Sequence, residues 1–522
     1  MNLLNTKVLK LKLKDTSTKL IKERIKRSEV ISRTADGINE VVVYWGLDEM
    51  TELNNILNLN KNLPSPITRD YKWAGLYEPF DHQRITSEFL SINERAFCFN
   101  EAGTGKTSSA LWAADYLMNE GKVKRVLIIC PLSIMYSAWQ GDIFNTCMHR
   151  TSQVCHGSKE KRQLIINGEY EFIIINYDGV AIVKEDIKNA DFDLIIIDEA
   201  NAYKSTTTSR WKTISKIVRP HTRIWMMTGT PASQSPEDAY GLAKLVCPNR
   251  VPKFKMAWRD KVMHQISRFK WIPRPTAKDD VYKALTPAIR FAKDECLDLP
   301  NVMYQTRNIE LTAQANKYYK QLKNQMLIET AGEQISAVNA ASGMNKLLQI
   351  SGGAVYTDTK EEIRFDVKPR LNALLEAVEE TSHKVLVFVP YRHTIKIVAE
   401  FLSKNNIENE LIHGDVSARE RFNLITRFQT EENPRVLVIQ PQSASHGVTL
   451  TAANVVVFWS PVMSVEVYLQ CIARMDRVGQ KNKMTVVHLQ GSAVEKRMYA
   501  MLRGKVDQHT KLVDLYREVL EE

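Results

Sequence analysis

Short apolar runs rich in Val and Ile recur along most of the chain, and they constrain its fold more than any other feature. They lie at 126–132, 171–177 and 193–200 and, in a second group, at 384–390, 435–441, 454–460 and 484–490. Each run is β-branched and bounded by polar segments, which is typical of strands buried on both faces of a parallel sheet. The stretches between runs are long enough for crossover helices, so the two groups predict two α/β lobes.

A chain of 522 residues is too long for one ordinary hydrophobic core, so several domains are expected. The segments outside the two groups of runs indicate further divisions of the chain. At the N-terminus, Leu alternates with Lys over residues 9–14 and VVVYW follows at 41–45, which predicts a small, partly β module. Between the two groups of runs, Lys, Gln, Met, Ala and Tyr recur at helical spacing. We expect an N-terminal module at 1–70, a first lobe at 71–247, a mainly helical insertion and linker at 248–365, and a second lobe at 366–522.

Composition limits the class of protein. The net charge is +11, with 71 basic and 60 acidic residues, which suits a polyanionic partner but also occurs in ordinary basic enzymes. No apolar run approaches the roughly 18 residues that span a bilayer, and the first residues lack a signal-type apolar segment. Seven scattered cysteines have no metal-site spacing. We therefore expect a soluble, intracellular protein with reduced thiols and no membrane partner.

The strongest local motif is EAGTGKT at 101–107, between an apolar stretch and a helical segment. Gly103 and Gly105 allow a tight loop whose backbone N–H groups face phosphates, Lys106 can reach the β- and γ-phosphates, and the Thr107 hydroxyl can bind magnesium. Asn100 holds the place of the first glycine of the common eight-residue pattern. The motif predicts an ATP site.

Two adjacent carboxylates end the apolar run at 193–200. Asp198 is placed to hold magnesium, directly or through water, and Glu199 to polarise the attacking water. A strand that merely ends in solvated acids is the alternative, and the phosphate loop upstream favours the catalytic interpretation.

Further motifs follow in a fixed order: TGTP at 228–231, HGD at 413–415, SASHGVTLTAA at 443–453 and QCIARMDRVGQ at 470–480. Together with the loop and the acidic pair, they resemble the Snf2 branch of superfamily 2 helicases over about residues 75–500. The resemblance implies two RecA-like parallel-sheet lobes with a helical insertion and a small, partly β N-terminal domain. It also implies a motor that uses ATP and Mg²⁺ and moves on DNA.

The family's roles can be carried to matching positions. The residues implied to bind ATP are Gln83 at the adenine, and Gly103, Thr104, Gly105, Lys106 and Thr107 at the phosphates. Those implied to contact nucleic acid, or to couple it to the ATP state, are Ser133, Trp139, Thr228 and Thr230. In the second lobe, Arg474 and Arg477 match arginine fingers, with Gln470 beside them. Their spacing of three places both arginines on one face of a helix.

Three features depart from the family pattern or lie outside it. Asn201 stands where the family usually has histidine, and SASHGV replaces a double-glycine stretch. A mixture of basic and aromatic residues at 253–271 either stacks on unpaired bases or packs internally beneath solvated charges. Lys10, Lys12 and Lys14 either form a ribbon that faces phosphates or protect an edge strand.

The expected function is a DNA-dependent ATPase that translocates on DNA and remodels or unwinds forks and junctions. Its partners would be duplex or branched DNA and proteins of replication or recombination. Its location would be the cytoplasm of a bacterial or phage-infected cell, or the nucleus of a eukaryote. A restriction motor, a non-hydrolysing scaffold with a decayed motor, and an RNA-directed helicase are the alternatives.

Overall fold

The protein is described by a computed structural model over residues 2–5, 7–34, 37–57, 63–229, 231, 235–267, 270–296, 302–330, 337–356, 362–444, 448–477 and 479–504. The chain divides into two compact units, Met1–Leu297 and Asp298–Glu522. Among the helices within these described ranges, none has both the length and the apolar character needed to cross a bilayer.

The first unit begins with an antiparallel sheet in the order β1-β2-β4-β3. Its strands and the helices that accompany them are β1 (Asn2–Asn5), β2 (Val8–Lys14), α1 (Asp15–Arg24), β3 (Ser28–Arg33), β4 (Ile38–Tyr44) and α2 (Leu47–Leu57). Leu9 and Leu11 are buried on one face of β2, and they belong to the same hydrophobic cluster as Phe89 and Trp112 of the lobe that follows. The N-terminal sheet therefore shares a core with that lobe.

The lobe itself is a seven-stranded sheet in which every pair is parallel. Its seven strands are β5 (Arg95–Cys98), β6 (Val126–Cys130), β7 (Ser152–Cys155), β8 (Phe172–Asn176), β9 (Leu194–Asp198), β10 (Arg223–Met227) and β13 (Ala288–Ile289). A separate antiparallel hairpin, β11 (Met263–Ser267) and β12 (Lys270–Pro273), lies between β10 and β13 in the chain. The spatial order is β13-β5-β10-β9-β6-β8-β7. Strands β6 and β9 are buried at every position, as their continuous apolar sequences require.

Helices connect these strands as crossovers or flank them. They are α3 (Ile67–Asp70), α4 (Asp81–Ile92), α5 (Lys106–Asn119), α6 (Gly141–Cys147), α7 (Lys159–Ile166), α8 (Tyr177–Ile182), α9 (Lys184–Ala190), α10 (Ser209–Ile217), α11 (Ala239–Val246), α12 (Lys255–Val262), α13 (Ala277–Ala284) and α14 (Lys293–Cys296). A π-helical turn, Met135–Gln140, precedes α6.

The second unit is built on a six-stranded parallel sheet in the order β14-β21-β20-β17-β19-β18. Its strands, with the hairpin β15–β16, are β14 (Val302–Asn308), β15 (Ala354–Tyr356), β16 (Glu362–Arg364), β17 (Lys384–Phe388), β18 (Asn409–Ile412), β19 (Val436–Ile439), β20 (Ala453–Phe458) and β21 (Met484–Gln490). Its helices are α15 (Ala313–Thr330), α16 (Ala337–Gly352), α17 (Lys368–Glu379), α18 (Arg392–Lys404), α19 (Ala418–Thr430), α20 (Pro441–Ala444), α21 (Val465–Ile472) and α22 (Ala493–Leu502).

Two parallel-sheet lobes and a small β-containing N-terminal part confirm the predicted fold class. The region 248–365, expected to be mainly helical, is divided between the two units. Its first part holds the hairpin β11–β12 and the edge strand β13, and its second part begins with β14 at an edge of the second sheet. These edge strands are short or polar, so they lack the apolar signature by which buried strands were predicted.

Candidate active site

The phosphate loop connects β5 to α5, and its backbone requires glycine. Gly103 and Gly105 have φ values of +90° and +80°, in the left-handed region that other residues rarely adopt. A Cβ on Gly105 would also collide with the side-chain amide of Gln83. The loop ends at the N-terminus of the 14-residue helix α5, a position that binds anions through its backbone N–H groups.

Lys106 is the first residue of α5, and its side chain folds back over the loop. Its ammonium group donates hydrogen bonds to the carbonyl oxygens of Asn100, at 2.7 Å, and Glu101, at 3.0 Å. The loop therefore holds the positive charge next to its own backbone, where the predicted phosphate contacts would form.

Asn100 is fully buried and ties the loop to two other segments. Its amide nitrogen donates to the Thr86 hydroxyl at 2.8 Å, and its side-chain oxygen accepts from the backbone N–H of Phe291 at 3.0 Å. Glu101 extends this connection, because its N–H donates to the carbonyl of Phe291 and its carboxylate accepts from the N–H of Lys293. The sequence showed only that Asn100 replaces a glycine, and the role of the segment after β13 was missed.

Gln83 lies beside the loop, in the first turn of α4. Its amide nitrogen donates to the carbonyl of Thr104 at 3.2 Å, while its oxygen accepts from the backbone N–H of Phe80 at 2.9 Å. A ring nitrogen of His82 lies 2.9 Å from the same Thr104 carbonyl. Gln83 and Thr104, two predicted nucleotide-binding residues, are thus brought into contact.

Asp198 and Glu199 end β9, at the carboxyl edge where β5 also ends. Oδ2 of Asp198 accepts a 3.0 Å hydrogen bond from the indole N–H of Trp139, and Oδ1 accepts from the backbone N–H of Glu199 at 3.0 Å. Glu199 adopts a left-handed backbone with φ of +47°. Such a conformation is uncommon for a residue with a side chain and occurs at functional sites.

Tyr177 supports the acidic pair from the neighbouring segment, although the sequence did not indicate it. Its hydroxyl donates to the carbonyl oxygen of Asp198 at 2.7 Å. Burial, followed by the charges of Asp198 and Glu199, raises the pKa of the Tyr177 hydroxyl well above its ordinary value. The hydroxyl therefore stays protonated and remains a hydrogen-bond donor.

The strand order brings the TGTP segment to the same edge, because β10 lies between β5 and β9. Thr228 is buried, and its N–H donates to the carbonyl of Cys98 at 3.1 Å. Gly229 lies against the loop, since a Cβ there would be 3.4 Å from the backbone nitrogen of Ala102. Thr230 lies outside the described residues. The phosphate loop, the acidic pair and Thr228 therefore lie together at the carboxyl edge of the first sheet.

Two of the residues predicted to contact nucleic acid, Trp139 and Thr228, are buried in the first lobe. Trp139 is completely buried and bound to Asp198, so its side chain does not offer the surface that contact with a nucleic-acid backbone needs. Thr228 is also buried, whereas the Ser133 side chain lies outside the described part of the structure.

The lysines of β2 lie on the face opposite its buried leucines. Lys10 and Lys12 approach the carboxylate of Glu40 to 2.8 and 3.9 Å, and Lys14 is exposed at the end of the strand. β4 pairs with β2 over Val8–Lys14, whereas β1 pairs with it only at Val8, Leu9 and Lys10. Lys10 therefore does not lie on an edge, and for Lys12 and Lys14 the lysine-protected edge stays an alternative.

In the second unit, helix α21 ends at Ile472, so Arg474 and Arg477 do not share a helix face as predicted. Arg474 is 1% exposed and donates to the carbonyl oxygens of Gln470 and Val448 at 2.8 and 3.3 Å. Arg477 is partly exposed and donates to the Thr449 hydroxyl at 3.1 Å.

Gln470 is also largely buried, and its amide nitrogen lies 3.5 Å from a carboxylate oxygen of Glu466. The segment 470–480 is bound to the segment 448–453 by hydrogen bonds from Arg474, Arg477 and Gln480. The two predicted arginine fingers differ in environment, since Arg474 is buried and Arg477 is partly exposed.

A magnesium ion would find two of its predicted ligands here. Asp198 offers a nearly buried carboxylate at the carboxyl edge of the sheet, and Thr107 offers a half-buried hydroxyl in the first turn of α5. This donor set fits magnesium, which is usually held by one or two protein oxygens together with substrate phosphates. Within the described residues, no group of three or more His, Cys, Asp or Glu side chains could hold a metal without such phosphates.

Two known domain families match this chain. The SNF2-related domain matches residues 83–352, and the helicase conserved C-terminal domain matches residues 369–479. A solved Sulfolobus solfataricus SWI2/SNF2 ATPase core in complex with dsDNA has 19% sequence identity and a TM-score of 0.41, covering 86% of this chain and 96% of that one.

Two relatives illustrate the range of similar proteins. Protein p41 of Acyrthosiphon pisum secondary endosymbiont phage 1 is 26% identical over 424 residues, which are 76% of this chain and 88% of p41. The human DNA annealing helicase and endonuclease ZRANB3 is 24% identical over 434 residues, which are 80% of this chain. The chain spans only 38% of ZRANB3, and less than half of the plant and amphibian relatives it matches.

The first of the two domain matches extends over more than half of the chain and contains the phosphate loop, the acidic pair and Thr228. The second contains Gln470, Arg474 and Arg477. With both domains present in this order, the chain belongs to the SNF2-related family of helicase-type ATPases.

Proposed function

We propose that this chain is a DNA-stimulated ATPase that translocates on duplex DNA and remodels or unwinds forks and junctions in replication, recombination or repair. The observation that carries the proposal is the convergence of the phosphate loop, Asp198 and Thr228 at the carboxyl ends of three adjacent strands. Membership of the SNF2-related family supports an ATP-driven motor that moves on DNA. Similarity to ZRANB3, a DNA annealing helicase and endonuclease, supports the choice of branched DNA.

The proposed chemistry divides among named side chains. Lys106 and the loop N–H groups bind the phosphates, and Glu199 orients and polarises the attacking water. Thr107 and Asp198 would hold Mg²⁺, which neutralises charge on the phosphates when bound. Trp139 and Tyr177 fix the acidic pair through hydrogen bonds to the Asp198 carboxylate and carbonyl.

The second unit would supply the arginine that stabilises the transition state. We assign this role to Arg477, which is partly exposed. Arg474 is buried among carbonyl oxygens, so we assign it to holding the segment that carries Arg477. Buried Gln470 would position the same segment. An arginine that acts mainly on the transition state affects hydrolysis more than nucleotide binding.

The location and partners follow from the same proposal. Similarity to a phage protein supports action in the cytoplasm of a bacterial or phage-infected cell. In a eukaryote the nucleus would be the corresponding place. Replication or recombination proteins would be the partners at branched DNA.

One panel of assays tests the proposal. Phosphate release is measured with no nucleic acid, linear duplex, single-stranded DNA, RNA, a fork and a four-way junction, and strand displacement is measured on the last two. We expect strong stimulation by duplex DNA and the largest effect with branched substrates. No phosphate release under any condition would instead indicate a scaffold with a decayed motor, and maximal stimulation by RNA would indicate an RNA helicase.

A further inference from the structure

The segment 250–284, named here the basic insertion, carries a charge out of proportion to its length. Residues 250–283 contain ten Lys or Arg and three Asp or Glu, a net charge of +7 in a chain whose total is +11. The segment comprises α12, the hairpin β11–β12 and α13, and it lies in the chain between strands β10 and β13 of the first sheet. None of the ATP-site residues described above belongs to it.

The inner side of the basic insertion is fixed to its lobe. Trp258 has no exposed surface, and its indole N–H donates to the carbonyl of Pro236 at 3.3 Å. The guanidinium of Arg259 lies over the ring of Trp271 at 4.2 Å and bonds to Glu237 at 2.9 Å. Trp258 and Trp271, two of the aromatic residues in the mixture at 253–271, therefore serve packing.

Other apolar side chains of the basic insertion face solvent. Phe254 is 67% exposed and Tyr282 is 64% exposed, and Ile266 of the hairpin is 56% exposed. Exposed lysines accompany them at positions 253, 261, 278 and 283, and the Lys253 ammonium lies 5.5 Å from the centre of the Phe254 ring. The exposed rings of the basic insertion thus stand in a segment that also carries exposed positive charges.

Charge and ring chemistry together select the ligand. A net charge of +7 favours a polyanion and argues against a typical apolar protein partner. Exposed Phe and Tyr rings can stack on bases only when those bases are unpaired, because the faces of paired bases are covered by their neighbours in a duplex. We propose that the basic insertion binds an unpaired nucleic-acid strand, with Phe254 and Tyr282 as stacking platforms and the lysines on its phosphates.

This inference rests on the proposed function, because a motor acting on forks or junctions produces such strands. It assigns the basic insertion to the displaced or unpaired strand and leaves the duplex to the motor lobes. The binding site is thus separate from the ATP-driven track.

The test uses the full chain and a fluorescent oligothymidylate of about 20 nucleotides, with affinity measured by anisotropy. Phe254→Ala and Tyr282→Ala should each weaken binding by about fivefold or more, since one stacked base contributes about 1–3 kcal/mol. Their exposure means that neither change removes a core side chain, which thermal unfolding checks. The matched control is Phe144→Ala with Phe422→Ala, at rings that are 65% and 43% exposed outside the insertion.

Replacing Lys253, Lys278 and Lys283 with Gln should reduce the slope of log affinity against log salt by about 2, at about 0.7 per phosphate contact. Lys159, Lys161 and Lys188, replaced together, provide the control with the same charge change. Unchanged affinity in the ring variants would overturn the proposal, including the case in which only the lysine variant loses binding.

ATPase stimulation by linear duplex is measured in the same variants and should stay at the parental level. If the parent itself is not stimulated by any DNA, the proposed function fails. The oligothymidylate affinities still decide separately whether the basic insertion binds a strand.

Discussion

The indole N–H of Trp139 donates a hydrogen bond to Oδ2 of Asp198 across 3.0 Å, within a part of the first lobe that is closed to solvent. The π-helical turn Met135–Gln140 holds the tryptophan in this position. A residue expected to contact nucleic acid thus contacts the carboxylate that is predicted to hold magnesium. Any movement of this turn would reach the acidic pair through one hydrogen bond.

Trp139→Phe should therefore lower ATP turnover by about tenfold while the lobe stays folded. The change keeps most of the apolar volume but removes a hydrogen bond to a charged group, an interaction that contributes about 1.5–3 kcal/mol. Phosphate release gives the measurement. Trp112→Phe is the matched control, because Trp112 is also buried and its indole N–H donates to a neutral acceptor, the carbonyl of Ala74. Equal effects of the two changes would remove the catalytic interpretation of Trp139.

Lys106→Ala should abolish ATP hydrolysis and preserve the fold and much of the DNA binding. The side chain supplies the charge that the loop holds beside the carbonyls of Asn100 and Glu101. Steady-state phosphate release and a DNA-binding titration measure the two effects. Lys124→Ala changes an exposed lysine of the same lobe and should leave both unaltered. Near-parental turnover of the Lys106 variant would contradict the assignment of the ATP site.

Arg477→Ala and Arg474→Ala should fail in different ways. Loss of Arg477 should reduce hydrolysis by about 10³-fold or more while nucleotide still binds, as for other arginine fingers. Loss of Arg474 should chiefly destabilise the second unit, because its buried guanidinium bonds to Gln470 and Val448. We expect a cost of about 2–3 kcal/mol in unfolding free energy. Turnover, nucleotide binding and thermal unfolding of both variants separate the roles, and identical behaviour would refute the division.

Glu88→Gln should stabilise the protein at pH 8 much more than at pH 5. Burial raises the pKa of the Glu88 carboxyl to about 7, although a hydrogen bond from Thr68 opposes the shift. Between the unfolded pKa near 4.5 and the folded value, the folded chain holds a proton that the unfolded chain lacks. Stability therefore falls as pH rises through this window, and the neutral amide removes that fall.

The difference between Glu88→Gln and the parent should grow by about 2 kcal/mol from pH 5 to pH 8. Denaturant midpoints at both pH values give the measurement. A difference that does not change with pH would show that Glu88 ionises normally.

Replacing Lys10, Lys12 and Lys14 with Gln should weaken binding and unwinding of forks by about threefold to tenfold, and leave ATPase activity on linear duplex intact. Lys10 and Lys12 share a single carboxylate, Glu40, so the face keeps positive charge. Glu40→Gln should act in the opposite direction and strengthen fork binding. Fork unwinding at parental rates by the lysine variant would leave the N-terminal sheet with a structural role only.

Sequence patterns predicted the buried strands well, because the burial of such a strand is visible in the composition of its own residues. Runs such as 194–198 are continuous and apolar, and strands that are buried on both faces of a sheet characteristically have such sequences. β14 escaped prediction because it is an edge strand whose side chains are mostly exposed, so its sequence is polar. β13 has two residues and becomes a strand only by pairing with β5.

The candidate site likewise contains features that the sequence predicted and features that it did not. The loop glycines were predictable, since their φ values demand them. The environment of Arg474 was not, because a helix that ends at Ile472 changes the geometry that a spacing of three implies. Nor does the motif around Trp139 specify the direction of its side chain, which is decided by packing against distant strands. For both Arg474 and Trp139, contacts with residues distant in the sequence determine the environment of the side chain.

The core shared by the N-terminal sheet and the first lobe has a consequence for biosynthesis. The leucine face of β2 leaves the ribosome before Phe89 and Trp112, which belong to the same cluster, have been translated. At about 5–20 residues per second, this interval lasts several seconds. During it the nascent chain can cover that face only with side chains that are already translated, such as Ile21 of α1 and Met50 and Leu53 of α2. Completion of α5 is the point at which Trp112 can join the part of this cluster that the N-terminal residues have already formed.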